Sequence, residues 1–353
     1  MRKLATIQII EEIKPIEGAD KIEAARVKGW WVVIKKDEFK VGNLCVFFEI
    51  DSLVPKTPIF SFLDKNGTKK IEVMGELGQP NFEVEGYRIK TIRLRKQISQ
   101  GLALPISAFP EITDGQETPI LSPGDDVSEL LGVYKYEHCI GASLSGEARG
   151  NFPSCVPKTD EERIQNCYGD LIELAIKELS FTLTEKIDGT SLTIIRNDED
   201  FHVCSRNLSL KESEANTYWK MTREYDLQNK IPNNFAIQGE IAGEGIQKNR
   251  LALVGRKLFV FYVYNIKTGM YLSIDETESF CKDLGLETVP VIEKKWIFNP
   301  SISRDDLIKF ADGASLLNPK ALREGVVWRL NDPVRHKFSF KAISNEYLLK
   351  WGE

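Results

Sequence analysis

The second half of the chain contains short segments in which polar and apolar residues alternate, and the first of them leads into Lys186-Ile187-Asp188-Gly189. Alternation with period two over residues 181–185 predicts a β-strand, with Thr184 and Lys186 on one face and a turn at Gly189. A partly buried lysine held at a strand end can lose its proton near neutral pH and act as a nucleophile. The alternative is a solvated lysine before an Asp-Gly turn.

Five further strand-like segments follow, at residues 201–207, 235–241, 258–264, 323–328 and 337–341. The second and fourth each carry one acid among apolar residues, Glu240 and Glu324, and acids in such surroundings seldom lack partners. The third is aromatic and uncharged, with Phe261 at its centre. In the last, period two places Lys337 and Lys341 on one face. Short alternating segments of this kind predict sheets of β-strands.

The chemical order of these segments carries more information than any one of them. Along the chain, Lys186 is followed by a segment with an arginine, a segment with a glutamate, the aromatic segment, the Glu-Gly-Val-Val segment and a final segment with two lysines. In this order they resemble the motifs of the covalent nucleotidyltransferases, the superfamily of polynucleotide ligases and mRNA capping enzymes. The resemblance implies an enzyme that presents its lysine to the α-phosphate of a nucleotide.

Composition sets the limits around this interpretation. The 353 residues allow two domains, and 42% apolar with 28% charged residues is ordinary for a globular protein. No segment reads as a membrane span or a signal peptide, and the six cysteines lack C-x-x-C spacing, which predicts a reducing, cytoplasmic location and no zinc. With a net charge of −5, contact with nucleic acid requires a local basic surface.

Residues 1–120 predict an all-β module, best matched by an OB-fold barrel. Strand-like runs at residues 30–34, 44–50 and 87–95 are separated by turn-forming residues. The run at 87–95 alternates aliphatic positions with Arg88, Lys90, Arg93 and Arg95. Such a strand can follow a phosphate backbone, and a solvated sheet face is the alternative.

Residues 121–157 predict a linker, and residues 158–353 the catalytic domain. The linker is rich in Gly, Ser and Pro, with one short helix signal at 126–131. Residues 159–162 read as a capping box that opens a helix running to about residue 179. Lys158 and Arg163 would lie at its N-terminal turn, where they could hold the leaving pyrophosphate or be ordinary surface charge.

Longer strings narrow the resemblance. Residues 94–102, 158–166 and 338–345 read LRKQISQGL, KTDEERIQN and FSFKAISN, the OB-like module comes first, and only twelve residues follow Lys341. Over essentially its whole length the chain is similar to the RNA ligases of the Deinococcus/Naegleria type. The resemblance implies an α+β protein: an N-terminal OB-fold β-barrel followed by a ligase-type nucleotidyltransferase domain of antiparallel sheets with flanking helices.

This resemblance also implies a reaction. Lys186 attacks the α-phosphorus of ATP, AMP passes to an RNA 5′-phosphate, and a 3′-OH of RNA seals the nick in an RNA or RNA/DNA duplex. A divalent cation, Mg²⁺ or Mn²⁺, neutralises transition-state charge, and its waters need acidic partners. Those partners are Asp188, Glu240 and Glu324. Lys341 holds the α-phosphate, and a cation beside Lys186 is expected to lower the pKa of that lysine.

The remaining nucleotide contacts are assigned by resemblance as well. Phe261 stacks on the base, while Arg206 and Asn207 contact the ribose or the incoming 5′-phosphate. The other predicted nucleotide-binding residues are Thr184, Glu185, Ile187, Lys337, Arg163 and Lys158. Two positions depart from the pattern of related ligases, because Ser339 stands where K-x-K is common and Tyr262 where many relatives carry an aspartate.

Two alternatives remain at this point. A capping-type guanylyltransferase would use GTP, but such enzymes carry an OB domain after the catalytic domain. A non-enzymatic tRNA-binding OB protein is suggested by residues 18–27, GADKIEAARV. A pure binding protein has no need of the acid-bearing strands that follow Lys186.

Overall fold

The structure is a computed structural model that describes residues 3–73, 82–113, 121–136, 147–175, 178–198, 200–331 and 338–351. The chain divides into two units, residues 1–140 with 351–353, and residues 141–350. Within the described ranges, none of the helices has the length and apolar character needed to cross a membrane.

The first unit consists mainly of β-strands. They are β1 (Ala5–Pro15), β2 (Ile22–Val27), β3 (Trp30–Lys35), β4 (Leu44–Phe48), β5 (Ser52–Pro55), β6 (Lys69–Val73), β7 (Phe82–Arg88), β8 (Thr91–Leu94), β9 (Gln97–Gln100), β10 (Leu102–Pro105) and β11 (Tyr134–Lys135). Two 3₁₀ helices (Pro58–Asn66 and Ile106–Ala108) and the short helix α1 (Pro110–Thr113) connect them.

The long strand β1 curls the first unit around its core. It pairs with β4 along its first half and with β2 along its second, and the register shifts between Ile10 and Glu12. Such a bulge increases local twist and lets a strand serve two parts of a curved sheet. The sheets run β10-β4-β1-β2-β3 and β11-β5-β7-β6, with β8-β9 as a separate hairpin. The rings of Phe48, Phe60 and Phe109 pack together inside.

The basic strand predicted at residues 87–95 is wrong as a single element. β7 ends at Arg88 and pairs with β5, whereas β8 begins at Thr91 and pairs with β9. The Arg88 guanidinium lies 2.9 Å from the Asp51 carboxylate. Asp51 itself has a left-handed backbone conformation in the turn after β4. The four cations of this run therefore do not line one strand.

The short helix predicted at residues 126–131 is also wrong. Turns occupy this segment, Asp126 forms an isolated bridge with Thr6, and Ser128 Oγ accepts hydrogen bonds from the Leu4 and Ala5 amides at 3.0 and 2.9 Å. Val127 is buried in the core of the first unit. Tertiary hydrogen bonds to β1 take the place of helical ones, so these residues form part of the first unit.

The second unit contains two sheets with helices against them. Its strands are β12 (Ala148–Asn151), β13 (Glu162–Arg163), β14 (Ser180–Lys186), β15 (Thr190–Asn197), β16 (Asp200–Cys204), β17 (Leu208–Leu210), β18 (Phe235–Gly243), β19 (Arg256–Asn265), β20 (Met270–Tyr271), β21 (Glu287–Thr288), β22 (Val291–Ile297), β23 (Gly325–Leu330) and β24 (Ser339–Ile343). Its helices are α2 (Ile164–Leu174), α3 (Thr217–Glu224), α4 (Leu227–Lys230), α5 (Ile274–Leu284), α6 (Arg304–Phe310) and α7 (Asn345–Trp351).

Each sheet of the second unit gathers strands that are far apart in sequence. One sheet runs β12-β17-β16-β15-β18-β19-β20, with β21 added beside β19, and the other runs β13-β24-β23-β14-β22. Pairing is antiparallel except for β13 with β24 and β21 with β19. Because β14 leads directly into β15 through residues 187–189, the lysine at the end of β14 lies where the chain passes from one sheet to the other.

The helix predicted from residue 159 to about 179 is shorter at both ends. α2 begins at Ile164, after Glu162 and Arg163 have paired in parallel with Phe340 and Lys341. The N-cap residue is Arg163, which makes no side-chain cap. Pairing with a strand almost 180 residues away along the chain thus overrides the local capping signal.

The core of the second unit provides a test of stability. Trp328 on β23 is fully buried and stacks on Phe340 of β24, with ring centroids 5.1 Å apart. Trp328→Ala is expected to lower the free energy of unfolding by about 3–5 kcal/mol, because removing a buried aromatic leaves a cavity. Urea unfolding measures the change. Val254→Ala, at a site 88% exposed, is the control and should stay within about 0.5 kcal/mol of the parent.

Candidate active site

The predicted nucleophile lies at the end of a strand, as its sequence pattern indicates. β14 ends at Lys186, which pairs with Gly325 at the start of β23. This register brings the preceding residue, Glu324, to the lysine, with Oε2 2.8 Å from Nζ. A Cβ on Gly325 would lie 2.3 Å from the Ala342 carbonyl oxygen, so the pairing of β23 with β24 requires glycine here.

Close approach of backbones also brings Glu240 to the site. β15 pairs with β18 so that Ser191 faces Glu240. A Cβ on Gly189 would lie 2.2 Å from the Ile241 carbonyl oxygen and 2.8 Å from Cγ of Glu240. Glycine is therefore required at this position by contact with β18, and its side-chain hydrogen lets the segment after Lys186 press against the strand that carries the glutamate.

Asp188 is held in place by two residues that the sequence did not suggest. Its Oδ2 accepts hydrogen bonds from Arg250 Nη1 at 2.8 Å and from the Tyr347 hydroxyl at 2.6 Å. Arg250 Nη1 also lies 2.9 Å from the Tyr347 oxygen. Arg250 comes from an irregular loop and Tyr347 from α7, so no periodic pattern marks either of them in the sequence.

The charges around Lys186 reverse one expectation from the sequence. Burial alone lowers the pKa of Lys186, but the carboxylates of Glu324, Glu240 and Asp188 outweigh burial and hold that pKa above its usual value. The predicted lowering is wrong for the chain without a bound cation. Burial raises the pKa of Glu240 to about 8, with Lys186 opposing the shift, and burial likewise raises the pKa of Glu324.

A second group of charges lies beside the first. Parallel pairing of β13 with β24 places Arg163 next to Lys341. Asp160 joins two of the predicted phosphate-binding cations, with Oδ1 3.0 Å from Lys341 Nζ and Oδ2 2.6 Å from Arg206 Nη2. Burial lowers the pKa of Lys341, Asp160 opposes that shift, and the charges of Lys186 and Arg163 add to it. The sequence suggested Asp160 only as part of a helix cap.

A β-bulge sets the position of the predicted stacking residue. Gln238 on β18 faces Tyr262 and the next residue, Gly239, faces Val260, so Phe261 between them has no partner across the ladder. A bulge turns the extra side chain away from its regular direction. The Arg329 guanidinium lies 4.3 Å from the Tyr262 ring centroid and 5.9 Å from that of Phe261.

The residues next to Lys186 are buried and structurally engaged. Thr184 Oγ1 accepts a hydrogen bond from Arg329 Nη1 at 3.1 Å, and Ile187 belongs to a hydrophobic cluster against which Phe261 packs. Glu185 lies on the opposite face of β14 and accepts a hydrogen bond from the Leu316 amide at 2.7 Å. Burial raises the pKa of Glu185.

Of the remaining predicted residues, the structure describes Lys158 but not Lys337. Lys158 Nζ lies 3.4 Å from Oδ1 of Asn207, next to Arg206, but six residues before α2 rather than in its first turn. Tyr264, at the end of the aromatic segment that carries Phe261, is buried. Lys337 lies outside the described residues, so its predicted pairing with Lys341 stays a prediction.

The acids around Lys186 suit a hard divalent cation held indirectly. Among the described residues, no group of three His, Cys, Asp or Glu side chains is arranged to enclose a metal ion. The carboxylates of Glu324, Glu240 and Asp188 nevertheless lie close enough to the Lys186 amine for each of them to raise the pKa of this lysine. Mg²⁺ and Mn²⁺ prefer oxygen donors, and Mg²⁺ usually keeps several waters and binds through one or two carboxylates and substrate phosphates. The donor set therefore fits such an ion.

Comparisons with known proteins agree with this arrangement. The family profile of the RNA ligases matches residues 179–343, and that of an OB-fold domain matches residues 4–106. No curated protein sequence matches the chain.

Solved structures of the Naegleria gruberi RNA ligase are similar over the full length. The complex with PPi is 39% identical, with a TM-score of 0.84, over 100% of this chain and 99% of that one. A variant with ATP and Mn is 39% identical, with a TM-score of 0.83, over 99% of each chain. A lysine-to-methionine variant with AMP and Mn is 39% identical, with a TM-score of 0.83, over 98% of each chain.

These matches confirm the predicted OB-fold and the sheet-rich α+β catalytic domain. Both the site geometry and the full-length similarity point to one conclusion: the chain belongs to the RNA ligase family.

Proposed function

We propose that this chain joins RNA ends in three steps that begin with adenylylation of Lys186 by ATP. The observation that carries the proposal is the meeting of Lys186 with Glu324 at 2.8 Å, with two further carboxylates and the half-buried cation Lys341 nearby. A strand-end amine among acids, beside cations, suits attack on a phosphate that is bound with a metal. The complexes of the Naegleria gruberi ligase with ATP, AMP and PPi support the choice of nucleotide.

In the first step, the Lys186 amine attacks the α-phosphorus of ATP. The new N–P bond forms as the bond from the α-phosphorus to the pyrophosphate oxygen breaks, leaving a lysine–AMP phosphoamide. The amine must lose a proton for this attack, and Glu324 is the carboxylate that already accepts its hydrogen bond. The raised pKa of Lys186 means that the lone chain keeps the lysine charged until substrate and cation bind.

Asp188, Glu240 and Glu324 would hold the divalent cation through its waters. When bound, Mg²⁺ or Mn²⁺ neutralises developing charge on the phosphate oxygens and offsets the carboxylates that favour the protonated lysine. Asp188 needs a fixed orientation for this role. Its two hydrogen bonds from Arg250 and Tyr347 provide that orientation.

The cations next to the lysine would bind the phosphates. Lys341 is half-buried, with 17% of its side chain exposed, and would hold the α-phosphate, while Arg163 beside it and Lys158 would accompany the departing pyrophosphate. Phe261, which packs against the hydrophobic cluster that contains Ile187, would stack on the adenine. Thr184 and Glu185 would act by fixing β14 through their hydrogen bonds to Arg329 and to the Leu316 amide.

In the second and third steps, the AMP passes to RNA. A 5′-phosphate oxygen attacks the phosphoamide phosphorus and frees Lys186, and the 3′-OH of the second strand then attacks the activated 5′-phosphate and releases AMP. Arg206 and Asn207 would contact the 5′-phosphate, and Lys337 stays a candidate for the α-phosphate together with Lys341. We propose a nicked duplex with an RNA 3′-OH strand as the substrate, a choice that nicks with systematically exchanged RNA and DNA strands will test.

Substitution of the nucleophile tests the first step. Lys186→Met should abolish covalent labelling by α-³²P ATP while leaving the fold intact, because methionine keeps the length of the side chain without its amine. Denaturing electrophoresis measures the labelled protein. Lys257→Met, which removes a lysine of the same unit whose side chain is 42% exposed, should label normally. Labelling of the Lys186→Met protein would contradict the site, and labelling by GTP in preference to ATP would favour a guanylyltransferase.

The acids can be tested separately from binding. Glu240→Gln and Glu324→Gln should each slow single-turnover adenylylation about 10²-fold or more and change the Kd for ATP little, because their proposed role lies in the transition state. Rapid-quench kinetics at saturating ATP and Mn²⁺ measure the step. The matched control is Glu287→Gln, an exposed glutamate paired with Lys257. A near-normal rate in either site variant would mean that its carboxylate is structural.

The ion pairs of Asp160 predict that its substitution strengthens ATP binding. In the free chain, Asp160 occupies both Lys341 and Arg206, the cations proposed to bind phosphate. Asp160→Asn should therefore lower the Kd for ATP about three- to tenfold, since partly exposed ion pairs contribute ~0.2–1 kcal/mol each. Fluorescence titration of the Lys186→Met background measures binding without reaction. Glu214→Gln, at a side chain 98% exposed, controls for net charge. Weaker binding would show that Asp160 orients the two cations.

A further inference from the structure

The hairpin of β8 and β9 ends in a turn whose residues are unfavourable for its backbone. The two turn residues, Arg95 and Lys96, both have positive φ, at 45° and 69°. A two-residue hairpin with both φ positive is the type I′ turn, which strongly prefers Asn-Gly, Asp-Gly or Gly-Gly. Two long side chains in left-handed conformations are a local cost, and such exceptions concentrate at functional sites.

A second hairpin of the same unit shows the usual solution. β2 and β3 are joined by Lys28 and Gly29, with φ of 49° and 77°, so glycine takes the second position. The Lys28 amine is held 2.8 Å from the buried Glu49 carboxylate. The β8–β9 turn has Lys96 at the position of that glycine, and neither Arg95 nor Lys96 forms a salt bridge with any residue in the described ranges.

The tip carries three exposed cations on a base that is fixed. Arg93, Arg95 and Lys96 are all exposed. At the base of the hairpin, Ser99 Oγ accepts a hydrogen bond from the Val33 amide at 2.9 Å, which ties β9 to β3. The positive charge is thus concentrated at the end of an anchored element, in a chain whose net charge is −5.

The face of β8 opposite Arg93 is apolar and also exposed. Ile92 and Leu94 alternate with Arg93 and are 39% and 38% exposed. Exposed apolar side chains on the same hairpin as exposed cations suit a ligand that offers both phosphates and less polar sugar and base surfaces. An acidic protein would satisfy the cations alone, and an apolar protein surface would leave three charges without partners.

We propose that the β8–β9 hairpin tip docks the polynucleotide substrate, with Arg95 and Lys96 contacting its phosphate backbone. This inference rests on the proposed function, because it assigns a surface to the RNA that the ligase joins. The unfavourable turn residues are explained by the contact, since phosphate binding requires cations at the outermost two positions of the hairpin.

The turn geometry supplies a variant that separates binding from folding. Arg95→Asn combined with Lys96→Gly introduces the pair that a type I′ turn prefers, so the thermal midpoint should stay the same or rise. Binding of a nicked RNA duplex to the full-length chain should weaken several-fold at moderate salt. The slope of log Kd against log salt should fall by about 1.5, because each of the two lost phosphate contacts contributes about 0.7–0.9 to that slope. Labelling of Lys186 by ATP involves no RNA and serves as a check on the catalytic unit.

The matched control is Lys35→Gln with Lys36→Gln, which also removes two exposed positive charges from the first unit. It should keep the RNA affinity and salt slope of the parent. Unchanged RNA binding by the hairpin variant would overturn the proposal and indicate a different partner for the tip. An equal loss of RNA affinity in the control would also overturn it, because the effect would then follow from net charge. Failure of the parent to label with ATP would instead contradict the proposed function, whatever the hairpin does.

Discussion

The contact between Lys186 and the surrounding carboxylates is the interaction on which the arrangement of the second unit depends. Three strands must meet at one point for it to form: β14 ends at the lysine, β18 passes beside it at Glu240, and β23 begins just after Glu324. Gly189 and Gly325 permit this convergence, because a Cβ at either would collide with a neighbouring carbonyl oxygen. The Asp-Gly and Glu-Gly pairs of the sequence are thus packing requirements as well as chemical ones.

The same convergence sets the charge state of the site. Burial disfavours the charged forms of Lys186, Glu240 and Glu324, yet the lysine remains protonated because three acids surround one amine. Lys341 is in the opposite situation, with burial and neighbouring cations against it and Asp160 as its counter-ion. On the proposed mechanism, both imbalances are corrected by substrate: a metal-bound triphosphate relieves the excess of acid around Lys186 and replaces the carboxylate at Lys341.

Local signals succeeded where the backbone pattern and the environment agree. Alternation over residues 181–185 predicted β14, and the acid-bearing and aromatic segments became β18, β23 and β19. Local signals failed at residues 126–131 and 159–162, where helix-capping residues are recruited by distant strands. Ser128 bonds to the amides of β1, and Glu162 with Arg163 pairs with β24. A hydrogen bond to a remote strand competes directly with the first turn of a helix.

Local sequence was enough to predict the order of strands, the lysine at the end of one of them that we propose as the nucleophile, the acids among apolar neighbours and the membership of the RNA ligase family. The strands and their polar residues depend on residue type and period two, which a local window contains, whereas the family resemblance depends on the order of the segments and on the strings at residues 94–102, 158–166 and 338–345. Three features could be seen only in the folded chain: Arg250 and Tyr347 hold Asp188, Asp160 joins Lys341 to Arg206, and the pKa of Lys186 is raised. These outcomes depend on distances between residues as many as 181 positions apart in the chain, which sheet pairing sets and no local pattern records.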